Sequence, residues 1–337
     1  MTEMMVSYSY AGQNLQEQTE TISSRLGERF LSKDLTCLLM IDTAILRLRD
    51  KESLLCRQIS ARESICVPVV PQYLSAAFQP KLVPLNLSVM EDRQLLEMSV
   101  ESAFDEIHPE KIKQGQGRLI CGWLSYSTTP ENVAVHLGKS AMQEREGKDI
   151  LLRFYDPAVS LPLWAILDDW QRQRLLGPVT AWYSVDGDGQ WVQRTGISSQ
   201  QIRLSWSLSL SPQNWLDIHF IGIVNRILCE YRNLHLNEMR LSELQVFQSV
   251  LPALRRAWQF PFRNPDDLIL YGTHALMISP NFDEHAIIVR ILQISRVERK
   301  NSYREIVADL TEQQWCRIKD ECRKTVYDFP QSLTGDV

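Results

Sequence analysis

The chain lacks most of the patterns that betray a chemistry. No G-x-x-x-x-G-K-[ST] loop is present to cradle a nucleotide phosphate. Gly115-Gln116-Gly117 has no third glycine and leads into an apolar strand rather than a helix, which excludes a dinucleotide fingerprint. The six histidines, at 108, 136, 219, 235, 274 and 285, form no H-x-x-x-H or H-E-x-x-H pair, so a zinc site would need ligands from distant segments. The seven cysteines are odd in number and none is spaced C-x-x-C. They read as reduced thiols, mostly in apolar company, with Cys316 and Cys322 as packing residues on a helix. No G-x-S-x-G elbow occurs. Asp186, Asp188 and Gln190 imitate the start of a calcium loop, but Trp191 stands where glycine is required and Ile197 where glutamate is.

Other absences bound the partners. No run of about 18 apolar residues could cross a bilayer. The first residues lack a basic start followed by an apolar core, so no secretory signal is expected and the cytoplasm is the expected location. Basic residues are scattered, with Arg255-Arg256 and Arg299-Lys300 the densest pairs, and the net charge is -5. Displacing counterions from a duplex needs clustered cations, so neither nucleic acid nor a membrane is expected as a partner.

What is present is the pattern of a folded chain of 337 residues, 44% hydrophobic, long enough for about two domains. Residues 35–42 (LTCLLMID) form an unalternating apolar run suited to a strand buried on both faces and ending in Asp42. Pro68, Pro71, Pro80 and Pro84 break 65–85 into extended segments and turns. A helix is expected over 89–107, a central strand over Leu119–Leu124, and a helix from Thr129-Pro130-Glu131 to about Glu146. Ile150–Tyr155 reads as a third buried strand, followed at Asp156-Pro157 by a capped helix. Val179–Ser184 and Trp191–Arg194 flank a D-G-D-G turn and read as a hairpin. Ile202, Leu204, Trp206, Leu208 and Leu210 alternate as in a strand with one wet face. Beyond Ser211-Pro212 the pattern is helical: about 213–231, 238–258 with a break near Pro252, 265–279, 283–297, 302–309 and 311–327. The expected fold is therefore a mixed α+β (α/β) lobe with a central sheet over 1–210, then a mostly α-helical lobe over 211–337.

No catalytic, cofactor-binding or metal-binding residue stands out. Asp42 and Arg153 lie on strands that should be central, where a charge usually needs a partner, so the two are expected either to pair or to reach solvent separately. Asp168-Asp169 and Asp266-Asp267 are neighbours that diverge on a helix and do not form an acid–base pair. Six tryptophans (164, 170, 182, 191, 206 and 215) crowd toward the expected boundary. Trp182 and Trp206 read as core residues, and Trp170, beside Asp168-Asp169 and the R-Q-R run, as the surface candidate for partner binding.

The order of several segments resembles a known family. They are L-L-M-I-D with Thr43-Ala44, Tyr73-Leu74, Leu82-Val83-Pro84-Leu85, Gly122-Trp123, Arg153-Phe154-Tyr155-Asp156-Pro157 and Gly177-Pro178-Val179. Together, over about 35–194, they are similar to the effector adaptor/chaperone domain of bacterial type VI secretion systems. Members often carry arginine after the D-P, where this chain has Ala158. The resemblance implies a protein without enzymatic activity or cofactor. It would bind a secreted effector protein in the cytoplasm and help load it on the VgrG spike, and a cleft between the two lobes would suit that task. Two rivals remain: an α/β enzyme whose site is assembled from distant residues, and an immunity protein that binds a toxin.

Overall fold

Six residues without a charge, Thr36–Ile41, form the strand on which the first half of the chain is built, β1. The computed structural model describes residues 15–31, 36–69, 75, 78–114, 116–197, 205–234, 241–298 and 302–327. By its contacts the chain divides into two compact units, Met1–Ser211 and Pro212–Val337.

The first unit is a mixed α+β fold. Its strands beside β1 are β2 (Ile65–Cys66), β3 (Lys81–Asn86), β4 (Ile120–Tyr126), β5 (Met142–Arg145), β6 (Lys148–Leu151), β7 (Val179–Val185) and β8 (Trp191–Thr195). Six of them make one sheet in the order β2-β3-β1-β4-β7-β8. Every pairing in it is antiparallel. The helices are α1 (Leu15–Leu31), α2 (Thr43–Leu46), α3 (Leu54–Ser60), α4 (Met90–Asp105), α5 (Pro109–Lys113), α6 (Pro130–Ala141), α7 (Pro157–Ile166) and α8 (Asp169–Leu176).

One face of the sheet, with Cys37, Leu39, Ile41, Val83, Trp123 and Tyr183, packs against Leu26 and Phe30 of α1 and Leu96, Val100 and Phe104 of α4. The opposite face, with Leu38, Met40, Leu82, Leu124 and Trp182, is buried too. Burial on both sides is why β1 reads as a continuous apolar run even though the sheet is antiparallel. Pro84 fits within β3 because β2 pairs only with Lys81 and Leu82, so the missing N–H falls on an open edge. At Gly122 φ is 141°, and an added Cβ would come within 3.0 Å of Trp182 Nε1 and the Tyr183 carbonyl. The indole N–H of Trp182 donates to the Cys121 carbonyl across that gap (3.1 Å).

Three expectations for the first unit need correction. The helix from Thr129 stops at Ala141 rather than Glu146, because Met142–Arg145 turns into a hairpin with Lys148–Leu151. Glu146 (φ 54°) and Gly147 (φ 75°) make the tight turn that joins them. Ile150–Tyr155 is consequently not a third strand of the main sheet. The hairpin stands apart, and Leu152, Phe154 and Tyr155 are buried from within turns. Lastly, the alternation expected as a strand over 202–210 is no strand in its described part, 205–210. Its backbone groups are taken by side chains. Gln143 accepts from the Leu208 N–H (2.8 Å) and donates to the Trp206 carbonyl (3.2 Å), Gln171 donates to the Leu208 carbonyl (3.1 Å), and Arg174 to those of Ser205 and Ser207. Leu208 is buried while Ser207 and Ser209 are exposed, which gives the period of two without a ladder. Ile202 and Leu204, like Tyr73-Leu74, lie outside the described residues.

The D-G-D-G hairpin is present as expected. Asp186 Oδ1 accepts from the N–H groups of Asp188 (2.9 Å) and Gln190 (2.8 Å), closing the turn between β7 and β8.

The second unit is helical: α9 (Pro212–Leu234), α10 (Glu243–Ala257), α11 (Pro265–Met277), a 3-10 turn at Phe282–Glu284, α12 (Ala286–Glu298), α13 (Tyr303–Val307) and α14 (Glu312–Tyr327). Pro252 sits inside α10 without ending it, against the expected break. α10 packs on α9 and α11, and α11 on α13. The aromatic centre is Phe262, Tyr271, Phe282 and Tyr303, all fully buried. Asp283 accepts from both the Nε and Nη2 of Arg256 (2.6 and 2.7 Å) and from the Tyr271 hydroxyl (2.9 Å).

Candidate functional site

The segment Arg153–Pro157 is where the sequence concentrates charge beside buried aromatics. Leu152 N–H donates to Ala141 (2.7 Å), Phe154 N–H to Leu152 (2.8 Å) and Asp156 N–H to Arg153 (3.0 Å), so the backbone turns twice before α7. Asp156 Oδ1 then caps the helix at the Ala158 N–H (3.0 Å), and Pro157 takes the first helical position, where no amide is needed.

Arg153 joins this helix start to another. Its Nη2 lies 2.8 Å from Asp42 Oδ2 and 3.3 Å from Asp156 Oδ2. Asp42, at the end of β1, uses Oδ1 to cap α2 at the Ala44 N–H (2.9 Å). Each carboxylate thus divides its oxygens in the same way, one to a helix amide and one to Arg153. Both carboxylates are committed to caps and to the guanidinium. Burial works against the Arg153 charge, but Asp156 and Asp42 prevail and hold it above the ordinary value. Tyr155, buried beside them, is pushed up by desolvation. Cys121 is raised well above a normal thiol, chiefly by burial and then by the charges of Asp42 and Asp156, and so is no nucleophile.

The other thiols divide by place. Cys37 and Cys56 are buried, whereas Cys66 and Cys316 are exposed, the latter against its expected packing role. Among the described residues no group of three or more His, Cys, Asp or Glu side chains is arranged to hold a metal ion. Among them, too, no helix is long and apolar enough to cross a membrane.

Phe154 packs edge-on against Tyr155 (centroids 5.9 Å apart). It packs edge-on against Trp182 (centroids 5.9 Å apart) and borders a small cavity shared with Ser160 and Trp164 of α7 and Arg194 of β8. The sequence reading passed over Arg194 and Ser160. The signal for Arg194 was available, because the D-G-D-G turn fixes the hairpin register and sets Arg194 opposite the buried Trp182.

Trp170 lies apart from the Arg153 cluster, in the first turn of α8. Its side chain is 55% exposed, and the Arg174 guanidinium lies 4.9 Å over the ring. Asp168 caps this helix in a reciprocal box with Gln171, so the tryptophan rides on a well-fixed helix start. Trp206, expected in the core, is half-buried, with Lys139 Nζ 4.0 Å from its ring centroid.

Comparison with known proteins adds one finding. No curated protein and no solved structure matches the chain. A family model described as a domain of unknown function (DUF4123) matches residues 75–174. The matched stretch runs from just before β3 into α8, and so includes Arg153–Pro157 and Trp170 but not Asp42.

Proposed function

We propose that the chain is a cytoplasmic adaptor/chaperone of a type VI secretion system, binding a cognate effector and helping to load it on the VgrG spike. The observation that carries this reading is the DUF4123 match over 75–174, a family generally linked to such adaptors. The order of L-L-M-I-D, Gly122-Trp123 and R-F-Y-D-P along the chain supports it. So does the Arg153 cluster, whose charged groups are spent on fixing helix starts. Trp170 is the side chain best suited to anchor a partner: large, exposed, rigidly based and flanked by charge.

The test is co-expression of the full chain with the effector encoded beside it. Co-purification, with higher effector solubility and secretion, is the expected result. A chain that neither co-purifies with the effector nor alters its solubility or delivery sinks the reading. Protection of cells from the toxin without any effect on secretion would replace it with an immunity function.

A further inference from the structure

Arg194 is the one arginine of the β7–β8 hairpin, and it points inward. It is 6% exposed, on the face of the sheet that carries Trp182. Its Nη1 donates to Ser160 Oγ (2.5 Å), and its Cζ lies 4.9 Å from the centroid of the Trp164 ring. No carboxylate pairs with it among the described residues, and its Nε–H is buried without an acceptor. Desolvation, with no acid to oppose it, lowers its pKa to about 10. A buried guanidinium with unused donors is costly, and such charges are ordinarily paired.

The donors left over define the missing partner. With Nη1 engaged by Ser160, the free edge of the guanidinium is Nε with Nη2, the edge that grips a carboxylate side-on. The second unit uses this edge in that way twice. Arg255 holds Asp217 through Nε and Nη2 (2.8 and 2.5 Å), and Arg256 holds Asp283 likewise. Arg194 also lines the cavity it shares with Phe154, Ser160, Trp164 and Trp182, whose volume of about 10 Å³ is the space for about one water. Entry of a planar carboxylate requires a shift of the half-buried Trp164, and entry of tetrahedral phosphate or sulfate a larger one.

We propose that this cavity is a receptor for a single carboxylate group, gripped by the Nε–Nη2 edge of Arg194, steadied by Ser160 and roofed by Trp164. The carboxylate is either a free small acid or one borne on a peptide chain. The assignment does not depend on the adaptor reading, because carboxylate binding can hold where effector binding fails.

The test is titration of the full chain with sodium formate and sodium acetate at constant ionic strength, set with sodium sulfate. Tryptophan fluorescence and the melting temperature are followed. The expected result is a saturable fluorescence change with a rise in Tm of about 2 °C or more. It should be absent in Arg194→Met and weakened at least tenfold in Arg194→Lys, which keeps the charge but not the fork. The lysine variant decides should the methionine variant fail to fold. Two further arms use acetyl-Gly-Asp-Gly-amide and triglycine with a free C-terminus. Saturation by either peptide supports the proposal with a peptide chain as the source, and saturation by formate alone supports it with a free acid. Absence of saturation by all four probes overturns it, as does equal saturation in the Arg194 variants. A control titration with sodium chloride is expected to give no saturable change; chloride binding as tightly as formate would overturn the carboxylate assignment in favour of an unselective anion site.

Discussion

Arg153 and Asp42 are 111 residues apart in the chain, yet their side chains meet at 2.8 Å. The contact ties the end of β1 to the entrance of α7. Because the Arg153 side chain is 45% exposed, the ion pair itself is worth less than about 1 kcal/mol. Asp42→Ala removes a helix cap as well and should cost about 1–2 kcal/mol. Urea denaturation of Asp42→Ala, Arg153→Ala and the double mutant checks this, with a coupling of a few tenths of a kcal/mol or more expected. Strictly additive losses would mean that the contact carries no energy.

Asp156 separates cap from charge. Asp156→Ala loses both and should destabilise by about 1 kcal/mol, whereas Asp156→Asn keeps an oxygen for the Ala158 amide and should lose less than half of that. Equal losses in thermal denaturation would show that the charge toward Arg153 matters more than the cap.

Gly122 is required by its own backbone and by Trp182. Gly122→Ala combines an unfavourable φ with a clash against an indole and a carbonyl, and is expected to cost roughly 2–4 kcal/mol. Gly147→Ala, also at positive φ but with open space around it, should cost less than half as much. Chemical denaturation of both variants provides the comparison, and similar losses would leave backbone strain alone as the cause.

His274, in the second unit, donates to or accepts from the Tyr303 hydroxyl through Nδ1 (2.8 Å) and packs 4.5 Å from the Trp315 ring centroid. Burial lowers its pKa from 6.5 to about 4. The unfolded chain therefore takes up this proton first as the pH falls. The resulting stability is whole above about pH 6.5 and is lost toward pH 4, with a slope of up to about 1.4 kcal/mol per pH unit. The difference in denaturation midpoint between the wild type and His274→Gln, followed from pH 7.5 to 4, should shrink across that window. A constant difference would show that His274 titrates alike in both states.

Trp170→Ala should leave the Tm within about 1 °C, because the side chain is mostly exposed. Under the proposed function the same variant should recover less effector on co-purification. Unchanged recovery would move the partner surface elsewhere on the chain.

Residues whose local chemistry is self-sufficient were legible in the sequence. Thr129-Pro130, Asp156-Pro157 and Asn264-Pro265 cap helices as their patterns predict, because cap and first turn are neighbours in the chain. β1 and β4 were legible because a strand buried on both faces leaves an unbroken apolar run. Segments whose hydrogen bonds come from afar were not. Leu208 alternates like a strand residue, but its backbone partners are the side chains of Gln143 and Gln171, and no local pattern announces them. Arg194 falls between these cases: the D-G-D-G turn marks its inward side, but that no carboxylate pairs with it among the described residues is set by distant parts of the fold.

The sheet order also sets a schedule. β1 lies between β3 and β4, so both of its edges wait for strands made later. At about 5–20 residues per second of synthesis, about 4–17 s separate Ile41 from Tyr126 at the ribosome. Through that interval a six-residue apolar strand has at least one row of amides and carbonyls without a partner, the condition under which nascent chains stick to one another. The strand most deeply enclosed in the finished protein is thus the one left longest in need of cover while the protein is being made.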